Sequence, residues 1–149
     1  MLDKLEKLKL LFFPVAALIT ASLNTAAAAN GEQLYANNCG ICHQPDGAGA
    51  PGVAPPLRSE LWQRLGSRSP RYLTSVLVSG LIGMPIDGQS YAAQMPSWSQ
   101  LSDAEISAIG TFVLQKLNGM KLKVPVATAK ESRAAAPDIA GLRRLRDGG

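Results

Sequence analysis

The sequence is short of the residues that build most small catalytic or metal centres. It has two cysteines in 149 residues, which excludes a disulfide-dense scaffold. It has one histidine, which excludes multi-histidine metal sites and makes any histidine-dependent dyad a matter of that single residue. Aromatic residues are 5% and charged residues 17% of the chain. No convincing strand alternation and no repeat at a fixed period are visible. The length suits one domain, or one small domain with extensions, and argues against two full-sized domains.

Loop-forming residues are plentiful, with 14 glycines and 10 prolines, above their ordinary share. The formal net charge of +4 would by itself suggest an acidic partner such as nucleic acid. Its distribution removes that suggestion. Residues 1–29 hold three Lys against two acids, residues 30–118 five Lys/Arg against six acids, and residues 119–149 seven against three. The positive charge belongs to the C-terminal end, and no nucleic-acid partner is expected.

Lys4, Lys7 and Lys9 precede an uncharged run from Leu10 to Leu23. The run is shorter than the roughly 20 residues of a spanning helix. Ala27-Ala28-Ala29 then offers a small-residue cleavage site. Residues 1–29 are therefore expected to be a secretory signal peptide, the alternative being an uncleaved N-terminal anchor. Residues 30–118 carry the periodic apolar segments of a folded unit. Residues 119–149 have no aromatic residue and weak periodicity. They are expected to form a basic, largely disordered tail, with at most a short helix near Ile139 to Arg146.

Within residues 30–118 the pattern is helix and loop. Gly31 to Asn37 is a short helix candidate, and Glu60 to Leu65 another. Pro70 to Ser79 has proline at a helix start and Gly80 where a terminating residue belongs. GAGAPGVAPP, residues 47–56, is loop. So is the stretch from Leu81 to Ser99. The strongest helix runs from Ser102 to Leu117. Ser102 and Glu105 make a capping-box pattern, and Ile106, Ile109, Val113 and Leu117 recur on one face.

The chemistry is concentrated in Cys39-Gly40-Ile41-Cys42-His43. C-x-x-C-H is the attachment signature of a c-type haem. Two intervening residues let one helical turn present both sulfurs to the two vinyl groups of a porphyrin, and the next residue is carried under the iron. The only histidine of the chain falls at that position. Three other readings compete. A dithiol redox pair normally sits in a βαβ setting with a low-pKa first cysteine, and no strand precedes Cys39. Half a zinc site would have three ligands, one short of a closed site. A plain disulfide is the third.

Taken with Gly31, Tyr35, Ile109, Phe112 and Pro55-Pro56-Leu57, these residues resemble a bacterial exported monohaem cytochrome c of the small class I type. The likeness covers residues 30–118. It implies an all-α cytochrome c fold of three to five short helices around one covalently attached haem c. In that fold the N- and C-terminal helices cross, with Gly31 and Tyr35 against Ile109 and Phe112. It implies Cys39 and Cys42 as the covalent attachments and His43 as an axial ligand of the haem iron. Pro55 would be the residue whose carbonyl accepts the hydrogen bond of His43. Met95 would be the second axial ligand, because it precedes Pro96 on a loop shortly before the last helix, after Gly88-Gln89-Ser90-Tyr91. A thioether is a soft ligand, and His/Met ligation raises the reduction potential. Met84, which also precedes a proline, is the rival. Leu57, Tyr72 and Trp98 are expected as haem contacts, and Leu73, Val76 and Leu77 as crevice or core residues. Arg58, Arg64, Arg68 and Arg71 read as a solvated face from which one could balance a propionate charge.

The resemblance implies a non-enzymatic electron carrier in a periplasmic respiratory or dehydrogenase-linked chain. Its partners would be a dehydrogenase donor and an oxidase or cytochrome acceptor. The alternatives are a haem-bearing subunit of a periplasmic dehydrogenase complex, and a haem enzyme or gas sensor with an open sixth site. A further reading makes Leu142 to Arg146 a docking helix. The membrane enters only through the N-terminal segment if it is uncleaved.

Overall fold

The computed structural model describes residues 29–148. The segments expected as signal peptide or anchor lie outside the described residues, apart from Ala29. The described chain is helical: α1 (Gly31–Asn38), α2 (Gly40–His43), α3 (Leu61–Leu65), α4 (Ser69–Ser79), α5 (Asp103–Phe112), α6 (Val126–Ala134) and α7 (Ile139–Asp147). Among the described residues there are only isolated β-bridges and no named strand. The all-α expectation holds.

Local chemistry explains where the helices begin and end. Asn30 caps α1 by accepting from the backbone N–H groups of Glu32 and Gln33, at 3.1 and 3.2 Å. Pro70 lies in the first turn of α4, and Gly80 ends that helix at a φ of +75°. The capping box of α5 forms: Glu105 N–H donates to Ser102 Oγ at 3.3 Å, and Ser102 N–H donates to Glu105 Oε2 at 2.8 Å. The last helix was expected to run regularly to Leu117. Instead it widens into a π-helical stretch at Val113–Leu117. Asn118 follows, and its side-chain amide donates to Val113 O and Leu57 O, both at 2.8 Å. That side chain ties the helix end to the loop before α3.

Helices α1 and α5 cross at close range. A Cβ at Gly31 would stand 2.2 Å from Ala108 O, so only glycine permits the approach. Tyr35 and Phe112 meet beside it with ring centroids 5.1 Å apart. Ile106, Ile109 and Leu114 are fully buried in the core that this crossing forms. Gly31 and Tyr35 face α5 as expected, with Ala108 and Phe112 as their contacts and Ile109 buried in the same core.

The short helix expected near Ile139 to Arg146 forms as α7, but the rest of the segment after Asn118 departs from the expected disordered tail. α6 packs on both α4 and α5, and α7 packs on α4. Ser132 of α6 is fully buried and shares a hydrogen bond with Thr74 at 2.7 Å. Arg133 forms an ion pair with Asp103 at 2.7 Å and donates to the Leu101 carbonyl. Leu142 of α7 is completely buried, and Asp138 caps α7 by accepting from Gly141 N–H at 2.7 Å. Disorder was expected because the segment lacks aromatics and long apolar runs. It packs because the residues at its contacts are small. Ala129 and Ser132 of α6 are fully buried and let helix backbones approach, and hydropathy does not register that. The docking-helix reading loses its apolar face too. Leu142 is buried against the body of the domain, and within Leu142 to Arg146 only Arg143 and Arg144 are exposed.

Candidate functional site

The pentapeptide of residues 39–43 is a single helical turn, entered directly from α1. His43 N–H donates to Cys39 O at 2.9 Å, so one turn separates the first sulfur from the imidazole. Cys39 is buried and Cys42 exposed. Burial first, and then the neighbouring Cys42, push the Cys39 thiol up to about 11. It is therefore protonated at neutral pH. A dithiol redox pair needs the opposite, an acidic first cysteine.

His43 is buried, with its Nδ1 2.9 Å from Pro55 O. A carbonyl can only accept, so Nδ1 carries the proton and Nε2 keeps its lone pair. Burial lowers the His43 pKa, and the Pro55 hydrogen bond opposes this in part. The result is a neutral imidazole of fixed tautomer. The loop that carries Pro55 is held by its own bonds: Leu57 N–H and Arg58 N–H both donate to Gly47 O, at 2.8 and 3.0 Å.

Two adjoining apolar chambers open beside His43. Both are lined by His43, Pro55, Leu81, Ile86 and Met95. The first continues over Ala54, Met84 and Tyr91. The second continues over Leu57, Trp62, Tyr72, Leu73, Val76 and Leu77. Together they make one crevice with a nitrogen donor and two thioethers on its walls.

Met95 is positioned by the end of α4. Leu81 and Met95 exchange backbone hydrogen bonds at 2.9 and 3.0 Å. Trp98 N–H donates to Leu77 O at 2.8 Å, and Ser97 donates to the Val78 carbonyl. A Cβ at Gly80 would lie 2.7 Å from Met95 O, so the glycine both turns the chain and admits the methionine loop. From the other side, Ala92 and Ala93 donate to Gly52 O and Val53 O, at 2.9 and 3.1 Å. Met95 is only partly buried. Met84 is 5% exposed and lines the first chamber alone.

Of the expected contacts, Leu57 and Tyr72 lie on the crevice wall, and Trp98 lies outside both chambers. Trp98 is held by its backbone on α4 and packs against the core edge. The tryptophan on the wall is Trp62, which is buried and donates its indole N–H to Leu57 O at 2.7 Å. Sequence reasoning missed it because α3 is too short to show a periodic face. Arg71 is paired with Glu131 of α6 at 3.3 Å, and Arg64 with Asp87. Arg58, Arg64 and Arg68 are exposed and Arg71 half-buried, so the run is a solvated face that carries two surface ion pairs.

The comparisons with known proteins agree with this geometry. Residues 26–113 match the family described as "Cytochrome C oxidase, cbb3-type, subunit III". A cytochrome c-552 of Thermus thermophilus is 41% identical over 85 residues, which are 56% of this chain and 57% of that protein. The cytochrome c subunit of the quinone alcohol dehydrogenase of Gluconobacter oxydans is 33% identical over 96 residues, 63% of this chain and 20% of that subunit. The cbb3-type cytochrome c oxidase subunit CcoP of Cereibacter sphaeroides is 29% identical over 92 residues, 60% of this chain and 28% of that subunit. The chain thus spans less than two thirds of each of these relatives. No described helix is long and apolar enough to cross a membrane. The chain belongs to this family of c-type cytochrome domains, with haem c as its covalently bound cofactor.

Proposed function

We propose that the chain is an exported, periplasmic single-electron carrier whose haem is attached through Cys39 and Cys42 and whose iron is held by His43 and Met95. When bound, the haem supplies a one-electron Fe(III)/Fe(II) couple. The residues of the chain do the rest. Pro55 holds the His43 tautomer that leaves Nε2 free and raises its basicity. The apolar walls from Leu57 to Leu77 exclude water. The observation that carries the reading is that His43 and Met95 share both chambers of one apolar crevice. With His43 and Met95 both holding the iron, no position would be left for a substrate, so the chain would act as a carrier rather than an enzyme. Residues 1–29 serve as the export signal, and residues 30–118 hold the haem.

The partners are a dehydrogenase donor and an oxidase or cytochrome acceptor, met through small, weak encounters. The likeness to a dehydrogenase cytochrome subunit supports a second version, in which this chain is the haem subunit of such a complex. Ligation is tested by Met95→Ala and Met84→Ala. Met95→Ala is expected to lose the red charge-transfer band of the ferric protein and to bind carbon monoxide rapidly when reduced. Met84→Ala is expected to keep the band. The reverse outcome overturns the Met95 assignment. A high-spin wild type that binds cyanide at once overturns the carrier reading.

A further inference from the structure

Helix α7 closes one wall of a cleft of about 490 Å3. Arg64 and Arg68 line it from the α3 side, Arg143 and Arg146 from α7, with Asp87 and Asp147 among them. Four guanidiniums against two carboxylates leave the cleft positive. It meets the crevice at Leu61 and Ile86, which belong to both. Tyr72, on the crevice wall, is close enough to Arg146, Asp147 and Asp87 to feel their charges.

The arginines are held in place but not used up. Arg146 donates to Pro85 O at 2.7 Å and to both Asp147 oxygens, at 2.8 and 3.4 Å. Those bonds use three of the five N–H donors of its guanidinium. Arg68 donates to the carbonyls of Leu145 and Arg146, each at 3.2 Å, which ties the end of α7 to the cleft. Arg143 has no hydrogen-bond partner among the described residues.

A c-type haem is an amphipathic plate. Its ring is apolar, its vinyl edge is taken by two thioethers, and its far edge bears two carboxylates. It fits an apolar slot with sulfur at one end and cations at the other. Cys39 and Cys42 lie within one helical turn of His43, which lines both chambers. The arginine cleft is lined by none of residues 39–43 and opens at the Leu61–Ile86 end.

We propose that this cleft receives the carboxylate edge of the haem, and that Arg146 of α7 is the charge that faces it. The inference rests on the haem-carrier reading of the crevice. α7 lies beyond the family match, which ends at residue 113, so the shared domain does not supply this contribution. Arg146 is a positioning residue with an electrostatic consequence. A cation beside the haem favours the ferrous state, which carries one positive charge fewer, and so raises the reduction potential.

The test is spectroelectrochemistry of the holoprotein with Arg146→Gln, Arg146→Lys and Asp147→Asn. At the wild-type midpoint, Arg146→Gln is expected to hold at least threefold less ferrous relative to ferric protein, a fall of about 28 mV. Arg146→Lys should restore most of it. Asp147→Asn removes an exposed carboxylate and should shift the couple the opposite way with unchanged melting, which keeps the test alive if Arg146→Gln folds badly. Measurement at 0.15 M salt, where screening reaches about 8 Å, confines the effect to charges near the haem. An unmoved potential in both Arg146→Gln and Asp147→Asn, with the normal haem spectrum, overturns this proposal and leaves the carrier reading intact. A wild-type chain that carries no haem overturns both. Inorganic phosphate tests a free anion as the other source of negative charge. A saturable phosphate shift of the wild-type potential, lost in Arg146→Gln, overturns the haem carboxylate as occupant, and no such shift is expected.

Discussion

Gly31→Ala isolates the helix crossing on which the haem domain is built. In most helices this change stabilises by about 0.5–1 kcal/mol, because glycine loses more backbone freedom on folding. Here the sign reverses. The added Cβ would stand 2.2 Å from Ala108 O, 2.8 Å from Ala108 C and 3.2 Å from Phe112 Cβ. The first two are backbone atoms of α5 and cannot rotate away. Restoring even a 3.0 Å contact from 2.2 Å moves α1 outward by about 0.8 Å. That movement also separates Tyr35 from Phe112. Overpacking of this kind costs roughly 1–3 kcal/mol. At roughly 4 °C per kcal/mol for a chain of this size, Tm falls by roughly 4–12 °C. The assay is thermal unfolding of the holoprotein by circular dichroism at neutral pH. Gln33→Ala, at an exposed position of the same helix, is the control and should change stability by less than about 0.5 kcal/mol. A Gly31→Ala protein as stable as wild type, with its haem spectrum intact, would refute the close-crossing argument.

Three further outcomes are expected. Leu142→Ala opens a cavity under α7 and should cost roughly 2–5 kcal/mol in urea unfolding; a change below about 0.5 kcal/mol would mean that α7 is not packed in solution. Ser102→Ala removes the hydroxyl that, together with the Ser102 backbone N–H, holds the Glu105 carboxyl below its ordinary pKa; the backbone bond stays. A depressed carboxylate pKa contributes stability at neutral pH and loses it as pH falls through the folded value. The variant should therefore be less stable at pH 7, and the gap should narrow in acid to the part due to the lost Glu105 N–H to Ser102 Oγ bond; a gap constant with pH counts against the carboxylate half of the capping box. The Cys39→Ala/Cys42→Ala double variant cannot hold the haem covalently. With the apolar surface of the macrocycle gone and a limited core left, helicity and cooperative melting should both fall. Near-native helicity with a sharp transition would contradict this.

Helix starts and the covalent motif were legible because each depends on residues within a few positions. Asn30, Pro70, Gly80 and the Ser102–Glu105 pair act within one turn of the helices they bound. Cys39, Cys42 and His43 report their chemistry by spacing alone. Pro55 was legible only through the family resemblance, since twelve residues separate it from His43. Trp98 and Trp62 show where such reasoning fails. Both are large amphipathic residues, and no local pattern says which one faces the crevice. Trp62 lines the second chamber and Trp98 lines neither. The segment after Asn118 failed for a different reason. Its contacts are made by small residues, whose role is to admit a neighbour, and that neighbour lies dozens of residues away.

Composition, charge distribution and one pentapeptide were sufficient for an all-α chain with one covalent cofactor, because attachment needs only two thiols and an imidazole within a single helical turn. They placed the positive charge in the last 31 residues but could not say what it faced. Folding brought those residues back against α4 and set Arg143 and Arg146 beside Arg64 and Arg68. It also put Met95 on the crevice wall through backbone bonds to Leu81. Such contacts join segments distant in the chain, so their energy depends on packing geometry that no local run of residues encodes.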